Sequence, residues 1–248
     1  MSQADEVQLN GWHAVPLDPS KMFDNRPFNH EPRAHAADVV QFPTHDSVVK
    51  YVYDYAKQQL PWQTFNHSMR VYYYATVILN EQFAEHANEL SDSTLALTSL
   101  LHDLGTTSAN MSATRMSFEF YGALKARDLL IDPVVGATQD TADAVFEAIV
   151  RHQDLGTEGN ITFLGQIIQL ATIYDNVGGQ HPTVQDFDLI IHKQVREDVI
   201  RKFPRNGWLG CFAGTVREEV ERKPWSHTTH IAGFAEKIEG NTLMRPYE

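Results

Sequence analysis

Apolar residues recur at helical spacing along most of the chain from residue 46 onward, with polar residues on the opposite faces. DSVVKYVYDYAKQQL (46–60) predicts a first helix, capped by Asp46 or Ser47 and stopped by Pro61. NHSMRVYYYATVILNEQF (66–83) predicts a second, and SDSTLALTSLLHDLG (91–105) a third, capped by Ser91 or Asp92 and ended by Gly105. SATRMSFEFYGALKARDLL (112–130) and TQDTADAVFEAIVRHQD (138–154) predict a fourth and a fifth. ITFLGQIIQLATIYD (161–175) predicts a sixth, broken by NVGG. FDLIIHKQVREDVIRKF, GWLGCFAGTVREEVERK and HIAGFAEKIEG complete the set. About eight or nine helices with short connectors predict an all-α helical bundle.

The first 44 residues lack this periodicity and are rich in Pro, Asn, Asp and His. They predict an extended N-terminal arm (1–44) packed on a helical domain (45–248) whose last helices form a C-terminal extension. Tyr72, Tyr73 and Tyr74 point in three directions around one helix, so at least one is expected to face solvent or a partner subunit. The run VREEVERK (216–223) reads as a solvated helix face.

The 248 residues are 42% hydrophobic, enough for one large core. A net charge of −12 opposes binding to nucleic acid or to an anionic membrane surface. The single cysteine, Cys211, rules out an intrachain disulfide and fits a reducing compartment. MSQADEVQLNGWH has no basic segment followed by an apolar core, and no apolar run nears the roughly 20 residues that span a bilayer. The expected location is the cytoplasm.

Five titratable residues break the pattern by falling on apolar faces. His67 shares a stripe with Val71, Tyr74 and Ile78; His102 and Asp103 follow the apolar face of the third helix. His152 follows Val145, Ala148 and Ile149, and Asp175 ends a stripe of Leu164, Ile168 and Ala171. Buried charge costs several kcal/mol unless it is paired or bound to a metal. Asp103 and Asp175 also sit at apolar helix C-termini, where the dipole disfavours a carboxylate by roughly 0.3–1 kcal/mol. A cation between those ends would reverse the sign. Two imidazoles and two carboxylates, His67, His102, Asp103 and Asp175, suit Zn²⁺, Fe²⁺ or Mn²⁺ and are too nitrogen-rich for Ca²⁺ or Mg²⁺.

The ordered set His67 … His102-Asp103 … Asp175 resembles the signature of the HD-domain superfamily, all-α metal-dependent hydrolases. More closely, NHSMRVYYY, LLHDLGTT, ATRMSFEFYG, EAIVRHQD, GNITFLGQIIQLATIYDNVG and KPWSHTTH are similar to the fungal cyanamide hydratases, a likeness that runs from about residue 10 to the C-terminus. The resemblance implies hydration of cyanamide, N≡C–NH₂, to urea, one divalent metal per subunit (Zn²⁺, with Fe²⁺ the alternative) and a homo-oligomer.

On that reading, hydroxide formed at the metal attacks the nitrile carbon. His152 and Asp103 are the expected proton-handling residues, because an imidazole titrates near neutral pH. Thr106, Thr107 and Asn176 are the candidates to hold the substrate. A lysine after the HD-Gly segment would suit a phosphate; Thr106 and Thr107 stand there instead. Only His152 lies between Asp103 and Asp175, which favours one metal over two. The competing readings are an HD-type phosphohydrolase acting on a nucleotide or small phosphomonoester, and a non-catalytic HD module. His227 and His230 in SHTTH read as surface or interface rather than a second metal pair.

Overall fold

The computed structural model describes residues 9–248. The first eight residues, on which the reading of a leaderless N-terminus partly rests, lie outside the described residues. The helices are α1 (Ser47–Gln59), α2 (Trp62–Gln82), α3 (Asp92–Leu101), α4 (Ser108–Ala113), α5 (Phe118–Ile131), α6 (Gln139–Arg151), α7 (Phe163–Val177), α8 (Lys193–Lys202), α9 (Trp208–Arg222) and α10 (Phe234–Glu239). One short antiparallel ribbon joins β1 (Ala14–Pro16) to β2 (Asn160–Thr162), pairing Val15 with Ile161. Apart from this ribbon the described residues are all-α.

The bundle is organised around α2 and α7. α2 packs along α7 and α3; α3 also meets α1 and α6; α5 and α6 form an antiparallel pair. α7 is buried along its whole length, which explains why ITFLGQIIQLATIY is apolar on every side. α2 is nearly as enclosed, and Tyr72, Tyr73 and Tyr74 are all buried. The expectation that one of them faces solvent is corrected by what surrounds the helix. Tyr72 donates to the carbonyl of Gln41 in the arm, Tyr73 meets Lys202 of α8, and Tyr74 packs edge-on against Tyr174 of α7.

Local rules account for most boundaries. Asp46 caps α1 by accepting from Val48 and Val49, and Ser91 caps α3 by accepting from Thr94. α2 begins directly after Pro61, four residues earlier than the apolar pattern suggested, because proline is compatible with a helix start as well as a stop. The predicted fourth helix is two, α4 and α5, separated by 114–117. Tertiary bonds hold that break. Glu219 of α9 accepts from the N–H of Phe118 at 2.6 Å, and Ser117 accepts from the N–H of His227 at 2.8 Å. Glu219 and Lys223 are consequently buried, so VREEVERK is not a wholly solvated face.

Residues 9–44 lie over the bundle. Asn10 and Trp12 both donate to Oδ2 of Asp140 at the start of α6, at 2.7 and 3.1 Å. Further along, Gln82 holds the backbone at Asn29 and His30, and Glu81 takes the Arg33 side chain at 2.8 Å. One close approach fixes the turn after α3. A Cβ on Gly105 would lie 1.9 Å from the carbonyl oxygen of Phe118, and one on Gly122 would lie 2.8 Å from the amide of Gly105. The two glycines let α5 press directly against the 3-10 turn Leu104–Thr106.

Candidate metal centre

His67 lies in the second turn of α2, on its face toward α7. His102 is the C-cap of α3, and Asp103 follows it in the sparsely populated region at φ −99°, ψ 13°. The chain turns there because α5 blocks its continuation through Gly105 and Gly122. Nε2 of His102 is 3.2 Å from Nε2 of His67; Oδ2 of Asp103 is 3.4 Å from the first and 3.7 Å from the second. All three residues are buried.

Tautomers follow from the outer contacts. Nδ1 of His67 faces Asp175 Oδ2 at 2.6 Å, and Nδ1 of His102 faces the Ser99 carbonyl at 2.8 Å. Carboxylate and carbonyl only accept, so both Nδ1 atoms donate and both Nε2 atoms carry lone pairs. Those lone pairs face each other. Both oxygens of Asp103 are buried without a hydrogen-bond partner. Three acceptors with no donor among them form a site for a cation, and a buried set left that way would be strongly unfavourable.

The electrostatics agree. Burial lowers His67 to about 4, outweighing Asp175 and Asp103. Burial acts the same way on His102, but the Asp103 carboxylate beside it and the Ser99 carbonyl prevail and raise its pKa. Burial would raise Asp103, yet His102, His67 and His152 bring it down to about 2. The cluster draws positive charge and keeps its carboxylate ionised. His2Asp is a donor set that zinc and other first-row divalent ions accept, with open positions left over.

Asp175 stands behind His67 rather than among the three converging atoms. Its Oδ1 takes Arg205 Nη1 at 2.5 Å and Arg70 Nε at 3.0 Å, and its Oδ2 takes Arg70 Nη2 at 2.8 Å besides His67. Despite burial, the two guanidiniums hold its pKa well below the usual carboxylate range. Arg70 and Arg205 thus offset the unfavourable helix end at this residue.

His152 is the C-cap of α6. Its ring meets that of His102 edge-on at 5.3 Å, and its Nδ1 donates to the Ile149 carbonyl at 2.7 Å. Its pKa is lowered by burial and by His102. It lines a cavity of about 20 Å³, room for one water, with Asn176, Thr172, Leu155, Ile173 and Phe234. Asn176 reaches that cavity while its Oδ1 accepts from Trp208 Nε1 at 2.8 Å. Thr106 and Thr107 are occupied locally. Thr106 donates to the Asp103 carbonyl at 2.7 Å, and Thr107 caps α4 through Asn110.

Four residues at the site went unread in the sequence. Arg70 was legible in principle, as a charge one turn from His67 inside an apolar helix. Trp208 stacks on His67 at 4.3 Å, and Arg205 and the buried Glu119 come from segments whose local pattern carries no sign of the site. Glu119 meets Nδ1 of His227 at 2.7 Å, which gives the first histidine of SHTTH a structural partner.

The HD-domain family model matches residues 64–177, the segment that runs from α2 to the end of α7 and holds all of these metal-centre histidines and aspartates. The cyanamide hydratases DDI2 and DDI3 of Saccharomyces cerevisiae are each 43% identical to this chain over 202 residues, covering 81% of it and 85% of the yeast protein. No helix among the described residues is long and apolar enough to cross a membrane. With that identity over most of both lengths, and with an HD domain carrying a buried His-His-Asp group, the chain belongs to the cyanamide hydratase family.

Proposed function

We propose that this chain hydrates cyanamide to urea at one divalent metal ion, zinc by preference and Fe²⁺ as the alternative, held by His67 Nε2, His102 Nε2 and Asp103. The observation that carries the reading is the set of three facing acceptors, two imidazole lone pairs and an unpartnered carboxylate, buried against His152, which in turn lines a very small cavity. When bound, the ion supplies a Lewis acid that makes water nucleophilic near neutral pH. Asp175 fixes the ring of His67 so that Nε2 stays deprotonated and aimed inward, and Arg70 and Arg205 hold Asp175 in place.

Hydration requires one proton to leave the attacking water and one to reach the nitrile nitrogen. His152 can perform both transfers. Its Nδ1–H is committed to Ile149, so its Nε2 lone pair takes the proton from water and then delivers it to the nitrogen. The product, HN=C(OH)–NH₂, tautomerises to urea. Asn176 presents its amide to the substrate from a side chain steadied by Trp208. A cavity this small suits a substrate of very few atoms. The acidic chain and the neutral hydroxyls after Gly105 suit an uncharged molecule. A cytoplasmic location, on the strength of the single cysteine, and a homo-oligomeric state belong to the same proposal.

The test is urea release from cyanamide by purified protein of measured metal content, alongside phosphate release from nucleoside monophosphates. Urea formation by the wild type, absent in a metal-depleted His102→Ala variant, is the expected result. A fully metallated protein that leaves cyanamide unchanged, or that releases phosphate instead, overturns the proposal.

A further inference from the structure

A second group of metal-ligating side chains lies at the far end of α2. His67 is on its second turn, and His86 lies in the 3-10 turn Ala84–His86 just past its end at Gln82, so about 22 Å of helix separates the two places at 1.5 Å per residue. There His86 Nδ1 and His13 Nδ1 each lie 3.0 Å from one oxygen, Oε2 of Glu89, which accepts from both when no ion is bound; an ion would replace those two protons, each ring then carrying its proton on Nε2. Their three atoms converge within 4.8 Å. His13 belongs to the arm beside β1, whereas His86 and Glu89 belong to the bundle.

The group is pre-arranged. The ring of His13 is stacked between His86, at 5.0 Å, and Phe163, at 4.6 Å. Backbone bonds hold the residues that carry the ligands: the N–H of Phe163 to the His13 carbonyl, the N–H of Gly11 to the Glu89 carbonyl and the N–H of Glu89 to the His86 carbonyl, at 3.0, 3.0 and 2.9 Å. Each side chain keeps about a third of its surface exposed, which leaves a path for an ion and room for water as a further ligand. Glu85 lies 4.0 Å from the other ring nitrogen of His86, so two carboxylates balance a divalent charge.

We infer that His13 Nδ1, His86 Nδ1 and Glu89 Oε2 form a second, non-catalytic site for a zinc-like divalent ion, which clasps the N-terminal arm to the end of α2. Two imidazoles and one carboxylate are a ligand set that Zn²⁺ binds, at about 2.0–2.2 Å from each donor. Tetrahedral ligands at those bond lengths stand about 3.3–3.6 Å apart, so the two 3.0 Å contacts would open by a few tenths of an ångström around the ion. The site is independent of the proposed catalytic centre and shares no residue with it.

The test uses the full-length chain stripped of metal, with Zn²⁺ titrated against a chromophoric chelator. Two equivalents bind the wild type at low micromolar free Zn²⁺ or tighter. His86→Ala and the near-isosteric Glu89→Gln each bind one, as does His102→Ala, which removes the other site. In the His102→Ala background, added Zn²⁺ raises Tm and slows protease cleavage within residues 9–44. Both effects are lost when His86→Ala is added. Equal stoichiometry in the wild type and in folded Glu89→Gln, or a second equivalent that appears only at millimolar Zn²⁺, overturns the proposal.

Discussion

Nδ1 of His67 lies 2.6 Å from Oδ2 of Asp175, and this contact decides which nitrogen of the ring is free. The carboxylate accepts, so Nδ1 donates and Nε2 is left for the centre. Asp175→Asn would put an amide nitrogen against Arg70, Arg205 or His67, all of them donors. It would also leave two buried guanidiniums without their counter-charge. The expected cost is about 3–5 kcal/mol of stability and about 10–100-fold in metal affinity. Urea unfolding of the metal-free protein and chelator competition measure the two separately. No change in either would remove Asp175 from the positioning role.

His152 is expected to move protons without holding the metal. His152→Gln should lower kcat by about 10²–10⁴-fold while metal content stays at the wild-type level. Elemental analysis on the same preparation as the kinetics separates the roles. Loss of metal with loss of rate would make His152 a ligand instead.

The inward positions of His67, His102, Asp103, His152 and Asp175 were legible because each sits on a helical apolar stripe, where a titratable group breaks the period. Their division of labour was not. Nothing in local spacing distinguishes a carboxylate that points into a cluster from one that stands behind it, and the difference at Asp175 rests on Arg205, thirty residues later in a loop. The break between α4 and α5 was equally hidden. It depends on Glu219, which reads as one more charge on a polar helix until α9 packs beside Phe118. The β1–β2 ribbon escaped notice because three-residue strands show no period. Thr106 and Thr107 have hydroxyls that suit a turn as well as a substrate, and among their contacts are the turn bonds to Asp103 and Asn110.

Gly105 is expected to tolerate no side chain. In Gly105→Ala the new methyl would meet the backbone of Phe118 at 1.9 and 2.7 Å, and backbone cannot swing aside as a flexible side chain can. Thermal melting should show a loss of several kcal/mol, or the variant should fail to accumulate as folded protein. Metal affinity should fall with it, because the turn that carries His102 and Asp103 must shift. A variant with normal Tm and normal metal binding would show that α5 retreats freely.

Acid should destabilise the fold through His181. Its Nδ1 accepts from the N–H groups of Thr183 and Val184 at 3.2 Å each, so protonation at that atom removes both bonds. Burial lowers its pKa from 6.5 to about 4, against a smaller opposing pull from Asp18. Between these values the unfolded chain binds a proton that the folded chain refuses. Stability from this group is therefore complete above pH 6.5 and declines as pH falls toward 4. At about 1.4 kcal/mol per unit the loss reaches about 3 kcal/mol. Denaturant unfolding at pH 7, 6, 5 and 4 measures the slope, and His181→Asn should flatten it. Parallel profiles for variant and wild type would assign the acid sensitivity elsewhere.

The pairing of Val15 with Ile161 has a consequence for the order in which the molecule is made. The ribosome delivers the first strand early, but its partner follows about 146 residues later. At a synthesis rate of about 5–20 residues per second, the leading segment waits about 7–30 s before it has anything to zip onto. Docking of the arm therefore comes late in biogenesis, after the helices it covers have emerged.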